Sequence, residues 1–392
     1  MKIQFLDLGQ QPIANRFLTK DDLFKDEYFY NLRVGFDQDT CLVTHMDYVS
    51  PPMMFNDTYT YRGSMSKTMV EHFKEFSDDF RIKFNPNTVL EIGSNDGVFL
   101  KNWNSSNTYA VEPCGNFAKE TSELGYTTYH NFWTKKLADT IKSTHGTMDL
   151  IFAANCICHI PDLDDAFQAV ESLLSKNGVF VFEDPSLAQM INTNSYDQIY
   201  DEHPHIFSVT ALRNLLSRNG LTIVNVDNTP VHGGSNRIYV QRTTDVVTID
   251  SSVANNIKFE SMLGLDTLET FLIFAKRVEQ SKKDLIHILE RCKQLGKKVI
   301  SYGATSKSTT VFNYCGIDST LIDYVIDITP EKQNKYTPGT HIPIKNTNEI
   351  ELDIDVVYLG AWNFATEIMK KESKFINRGG KFITHVPIVK FI

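Results

Sequence analysis

The richest collection of chemistry-bearing side chains lies in one short run, Tyr196-Asp197-Gln198-Ile199-Tyr200-Asp201-Glu202-His203-Pro204-His205-Ile206-Phe207-Ser208. It holds two tyrosines, three acids and two histidines. A histidine beside carboxylates titrates near neutral pH and can remove a proton as a general base. The competing reading is a structural loop whose polar groups satisfy one another. The His-x-His spacing with flanking acids matches no common zinc pattern, so no metal is expected.

A second run, Leu90-Glu91-Ile92-Gly93-Ser94-Asn95-Asp96-Gly97, places an acid and two glycines at the end of a buried strand. Glycine is needed where backbone turns tightly against a ligand. The helix expected next presents free N–H groups with positive dipole character. In a phosphate site such a loop cradles anions. The acids Glu91 and Asp96, with Asn95, suit instead a ligand carrying an amino group, a carboxylate and ribose hydroxyls: S-adenosylmethionine (SAM). Glu112 strengthens this. It ends the next strand about 20 residues beyond the glycine turn, where a carboxylate takes ribose hydroxyls in nucleotide-binding α/β folds. Pro113 follows it. Asn131 and Phe132 are placed to flank the adenine, and Asn155, at the tip of a later strand, to face the methyl-donor end. An NAD site is the main competitor, but it wants a three-glycine fingerprint. A strand–turn–helix with no ligand is the plainest alternative.

These residues need a parallel sheet to hold them. TVLEIG, TYAVEP, MDLIFAANCICHI and GVFVFEDP read as buried strands alternating with helices, which argues for a doubly wound α/β domain. Cys156 and Cys158 fall inside the third of these and read as core thiols. Before them lies a strand-and-turn region ending in a helix from Ser66 to Phe80. After them come a helix and two antiparallel strands, one long helical region from about Asn255 to Leu295, and a second, smaller α/β unit. The chain has 392 residues and a net charge of −9, so nucleic acid gets no general electrostatic help. No apolar run approaches the roughly 20 residues that span a bilayer. The N-terminus lacks the pattern of a signal peptide. Six cysteines without framework spacing suit a reducing cytoplasm. A monomer is expected.

The stretches LDLGQQPIANRF, YTYRGSMS, LEIGSNDGVFL, CHIPDL, FEDPSL, YDQIYDEH, VHGGSNRIYV, YGATSKSTTVFNYCGI and TPGTHIPI resemble the sugar C-methyltransferases that add a branching methyl to nucleotide-linked deoxysugars. The resemblance covers nearly the whole chain. It implies an N-terminal lobe over 1–66 built like a zinc module, a central class I SAM-methyltransferase (Rossmann-like) domain over 67–245, and a C-terminal Rossmann-like α/β domain over 246–392 that contributes to sugar-nucleotide binding. It makes His203 the base beside a C4 ketone and puts Tyr200, Glu202 and His159 around the sugar, with Glu202 available to orient a histidine. Tyr59 and Tyr61 belong to the segment that folds over SAM. Tyr196, His232, Gly234, Ser235, Arg237, Tyr302, Lys307 and Asn313 are the implied contacts of the nucleotide-sugar substrate. The departure is at the N-terminus: Cys41 is the only cysteine in the first hundred residues, so the family's four-thiolate zinc site is not expected. A sugar O-methyltransferase on the same scaffold, or a non-catalytic SAM or sugar-nucleotide binding protein, are the alternatives.

Overall fold

The computed structural model describes residues 1–346 and 350–392. Three sheets organise them. The first is antiparallel, with strands Lys2–Pro12, Phe29–Asp37 and Leu42–His45. Its fourth strand, His205–Ile206, comes from the polar run itself, paired through Val43 and Thr44. The sheet of the N-terminal lobe is therefore closed by the segment that carries the candidate base.

The second sheet has the order Leu221–Thr229, Ser235–Arg242, Leu174–Pro185, Met148–Ala154, Val89–Ile92, Thr108–Val111, Thr127–Tyr129. The last five are parallel and the first two form an antiparallel hairpin against them. This is the class I methyltransferase arrangement. Strands Val89–Ile92 and Leu150–Ala153 are buried almost throughout because helices cover both faces. One of these is Lys67–Phe84, capped by Ser66, whose side chain accepts from Met69 N. Its Met69, Phe73, Phe76 and Phe80 recur at helical spacing and pack with Phe99 and Phe152 in one apolar cluster.

The third sheet runs Ile344–Lys345, Val325–Ile326, Val299–Tyr302, Val356–Leu359, Lys381–Thr384, Lys390–Phe391, parallel except for the last. Strand order reverses between Val89–Ile92 and Met148–Ala154 in the second sheet, and between Val299–Tyr302 and Val356–Leu359 in the third. Crevices for ligands open at such points, beyond the carboxyl ends of the strands.

Two expectations about local structure are corrected. The single long helix is two, Ser251–Met262 and Leu268–Gln294, broken at Gly264, which takes φ +71°. Cys156 and Cys158 lie outside the strand, which ends at Ala154. Asn155 turns left-handed at φ +48°, and Ile157–His159 form a single 3₁₀ turn.

Candidate active site

A cavity of about 690 Å³ runs between the two crevices. Gly93, Asn155 and Glu112 line it from the central sheet, Gly303, Lys307 and Ala361 from the C-terminal sheet, and Asn15, Phe55 and Tyr59 from the N-terminal part.

At the central crevice Gly93 takes φ +73°, and a Cβ there would sit 2.7 Å from Cys156 Sγ. Only glycine fits that turn. The Glu112 carboxylate accepts Asn95 N at 2.7 Å and Cys114 N at 2.8 Å, tying the glycine turn to the next strand end. Asn95 accepts Gly63 N through Oδ1 and donates to Tyr61 O through Nδ2, each at 2.9 Å. Asp96 accepts from Ser64 N and its hydroxyl. These bonds strap residues 59–66 across the mouth. Inside, Glu91 Oε2 and Ser94 Oγ are buried and have no hydrogen-bond partner among the described residues. Burial, then the nearby Glu112 and Asp96, push the Glu91 carboxyl well up. Unpartnered buried acceptors and hydroxyls want a ligand with ammonium and hydroxyl groups, and SAM fits that description.

Not every expected residue is at this end. Gly97 (φ +76°) packs under Thr121 and Leu124 and forms a turn. Asp96 faces the strap. Asn131 is exposed and its Oδ1 takes the neighbouring Phe132 N, while Phe132 itself lines the cavity, as do Pro113 and Tyr61.

The polar run forms the middle of the cavity. His203 Nδ1 lies 2.8 Å from the Gln198 carbonyl, which can only accept, so Nδ1 carries the proton. Nε2 is then bare and accepts the Tyr200 phenol at 2.8 Å. His159 stacks on His203 with centroids 5.1 Å apart, and Phe55 also stacks on His159 at 5.3 Å. Burial holds His203 well below the ordinary histidine range and His159 down at about 3. Both imidazoles are therefore neutral at pH 7. Glu202 does not orient a histidine: Asn15 Nδ2 donates to its Oε1 at 2.6 Å and Tyr59 OH to its Oε2 at 2.7 Å. His205, two residues on, points elsewhere, with Nδ1 on the Thr44 hydroxyl and Nε2 on Pro161 O.

Among the described residues, Cys158, His159 and His203 are the group of three potential metal ligands. The near-parallel stacking of the two rings keeps their in-plane lone pairs from converging on one ion. Asp184, with burial lifting its carboxyl to about 7, accepts Cys158 N and fixes the turn that presents His159.

On the C-terminal side the structure brings in Tyr302, Lys307 and His232 but not the other expected contacts. Tyr196 is fully buried with its hydroxyl toward Cys315. Gly234 packs on Gln189, and Ser235 donates to Val231 O. Arg237 donates to Glu183 Oε2 and lies over the Phe76 ring at 4.5 Å, an internal ion pair facing away from the cavity. Asn313 Nδ2 donates to Thr309 O and Pro338 O. The sequence reading missed Asn15, Phe55, Lys332 and Lys371, all of which line the cavity. No local spacing marks them; Asn15 sits inside the quoted run LDLGQQPIANRF but reaches Glu202 only through the fold.

Comparison with known proteins finds matches to three stretches of the chain. Residues 1–55 match a family described as a putative zinc binding domain, 61–226 a methyltransferase domain, and 230–387 a C-methyltransferase C-terminal domain. The C-methyltransferase NovU of Streptomyces niveus is 29% identical over 391 residues, covering 98% of this chain and 93% of NovU. Among solved structures, the CurJ carbon methyltransferase is 18% identical over 46% of this chain and 56% of its own, with a TM-score of 0.33. A SAM-dependent methyltransferase from Clostridium acetobutylicum is 13% identical over 44% of this chain and 92% of its own, also at 0.33. Zinc does not fit the first of these regions here: residues 1–55 supply one thiol, Cys41, and one imidazole, His45, and His45 is buried with its pKa pressed down to about 3. The chain is a SAM-dependent methyltransferase, similar to a C-methyltransferase along nearly its whole length.

Proposed function

We propose that the enzyme methylates the carbon next to the C4 ketone of a nucleotide-linked deoxysugar, with His203 as the base. The observation that carries this is the tautomer of His203. Its Nδ1–H is spent on the Gln198 carbonyl, so a basic Nε2 is presented to the cavity. A carbon next to a ketone is acidic when its conjugate base is stabilised as an enolate, and a neutral imidazole is suited to take the proton. On substrate binding the C–H displaces the Tyr200 phenol from Nε2, and the freed phenol donates to a sugar oxygen. His159 Nε2, buried and without a hydrogen-bond partner among the described residues, is a second polar contact for the sugar. SAM supplies an electrophilic methyl along the Glu91–Asn95 turn and Glu112. The nucleotide lies toward the C-terminal crevice, where Tyr302, Lys371 and Asn363 line the cavity. The six cysteines are all unpaired, which suits a cytoplasmic enzyme. Among the described residues no helix is long and apolar enough to cross a membrane.

A screen of nucleotide-linked 4-keto deoxysugars with SAM, read by mass, tests the substrate class. Methylation of a sugar that has no ketone, with every keto sugar refused, would sink it.

Two further outcomes are expected. Glu112→Ala loses both a ribose acceptor and the tie between Asn95 N and Cys114 N. It should weaken SAM binding by on the order of 1–3 kcal/mol in calorimetry; unchanged affinity would remove Glu112 from the site. The pH dependence follows from His203. A base is active when neutral, and burial lowers this group's pKa, so the active form persists further into acid than an ordinary histidine allows. The acid limb of kcat/KM should therefore fall below pH ~6.5, the unperturbed value; a midpoint at or above it contradicts the assignment.

A further inference from the structure

We propose that Lys307 is a catalytic residue, its ammonium donating to the ketone oxygen as negative charge develops there during proton removal. The inference rests on the enolate chemistry above and names the group that stabilises it. Lys307 opens the helix Ser306–Cys315, which Thr305 caps by accepting Ser308 N at 3.0 Å. Two threonines dock this helix. Thr309 Oγ1 donates to Ala14 O at 3.1 Å, next to Asn15, and Thr310 Oγ1 donates to Ile199 O at 3.2 Å, next to Tyr200. Lys307 is three residues before Thr310 and shares its face of the helix. That face looks onto the segment carrying the base, and Lys307 lines the same cavity.

The other cations of the cavity are committed. Lys332 Nζ donates to Ala304 O at 2.7 Å, Lys371 Nζ to Tyr302 OH at 3.0 Å, and Arg62 to Glu120 at 2.8 Å. Among the described residues the Lys307 ammonium has no hydrogen-bond or ion-pair partner. Its charge acts on Asp197, His203 and His232. Asp197 Oδ2 accepts Trp362 Nε1 at 2.6 Å and lies 3.4 Å from His385 Nε2, and among the described residues Asp197 forms no ion pair with Lys307, so it balances the ammonium at a distance. Burial lowers the lysine's pKa, with Asp197 opposing, which marks an ammonium poorly served by water. A donor kept uncommitted in a sheltered site is worth most to a charge that appears only in the transition state.

The C–H bond breaks and its proton goes to His203 Nε2. The bonding pair forms the C=C bond, and the carbonyl π pair moves onto oxygen, where Lys307 N–H donates. In the second step the carbonyl re-forms as the enolate carbon takes the methyl, and the pair of the broken S–CH₃ bond stays on sulfur.

The test is exchange of the acidic C–H in deuterium oxide, followed by proton NMR with S-adenosylhomocysteine present so that no methyl is transferred. Lys307→Met should slow exchange by about 10²–10³-fold. The concentration of keto sugar giving half-maximal exchange should stay within about threefold, and homocysteine-ligand binding by calorimetry should be unchanged. Lys307→Arg, which keeps the charge, should recover part of the loss. Retained exchange with a half-maximal concentration raised tenfold or more would assign Lys307 to the diphosphate and overturn the proposal. Should Lys307→Met not bind S-adenosylhomocysteine, Lys307→Arg decides alone: full-rate exchange with weakened keto-sugar binding overturns it. No exchange by the unaltered enzyme on any 4-keto sugar overturns the enolate reading itself. Exchange by the unaltered enzyme that Lys307→Met leaves undiminished overturns this inference alone.

Discussion

His203→Asn is expected to lose about 10²–10⁴-fold in turnover, the usual cost of removing a general base, while binding SAM as before. The amide keeps a donor for the Gln198 carbonyl but offers no basic nitrogen at the position of Nε2. Exchange of the substrate C–H and methyl transfer must fall together, because proton removal precedes bond formation to the methyl. His205 is the internal control. Its ring is held by Thr44 and Pro161 outside the cavity, so His205→Asn should loosen the pairing of His205–Ile206 with Leu42–His45 and leave exchange intact. If His205→Asn abolishes exchange and His203→Asn spares it, the base is misassigned. If His203→Asn blocks methylation and leaves exchange untouched, the base serves a hydroxyl, and the enzyme is an O-methyltransferase.

Phe271→Ala is expected to cost about 3–5 kcal/mol of stability, the range for deleting a buried aromatic ring. Phe271 is fully buried, with its centroid 5.1 Å from Phe5 and 4.8 Å from Phe36. Those two belong to the N-terminal sheet and Phe271 to the long helix Leu268–Gln294. One apolar cluster therefore runs from the N-terminal lobe into the C-terminal domain. Polar ties reinforce it: Leu18 pairs with Tyr336, and Glu27 accepts Gly339 N at 2.8 Å. This packing takes the place of the four thiolates the lobe lacks. The loss should appear in chemical denaturation, with hydrogen exchange rising first in Lys2–Pro12 and Phe29–Asp37. A chelator should change neither. Stoichiometric zinc by elemental analysis, whose removal unfolds the lobe, would show that the packing does not suffice.

The central sheet was legible because its signals are local. Buried strands alternate with amphipathic helices, and the demand for glycine at Gly93 follows from a turn that one residue type satisfies. Glu112 could be placed by counting from that turn. Contacts that depend on which face of an element meets the cavity were not legible. Arg237 and Ser235 sit in the same matching stretch as His232, yet of the three only His232 lines the cavity: it lies in the turn Val231–Gly233 before the strand begins, while Ser235 donates to Val231 O and Arg237 is held by Glu183. Asn313 looked like a substrate amide, but it braces the Pro338–Gly339 turn, where a Cβ on Gly339 would meet its Oδ1 at 2.1 Å. Asn15 and Phe55 reach the site across the chain, through Glu202 and His159, and no window of sequence contains both ends of either contact. The partner of His203 was misjudged for a similar reason. Glu202 is its neighbour in sequence, but the turn at Tyr200–His203 sends the two side chains to different partners, and a backbone carbonyl fixes the tautomer.

The position of the transferred methyl group separates C-methylation from O-methylation. The unaltered enzyme, a nucleotide-linked 4-keto deoxysugar and SAM carrying a carbon-13 methyl should give a product whose labelled methyl, in carbon NMR, is bonded to the ring carbon next to the ketone, with that carbon's proton lost or replaced from solvent. A labelled methoxyl resonance, with the ring C–H intact, would contradict it.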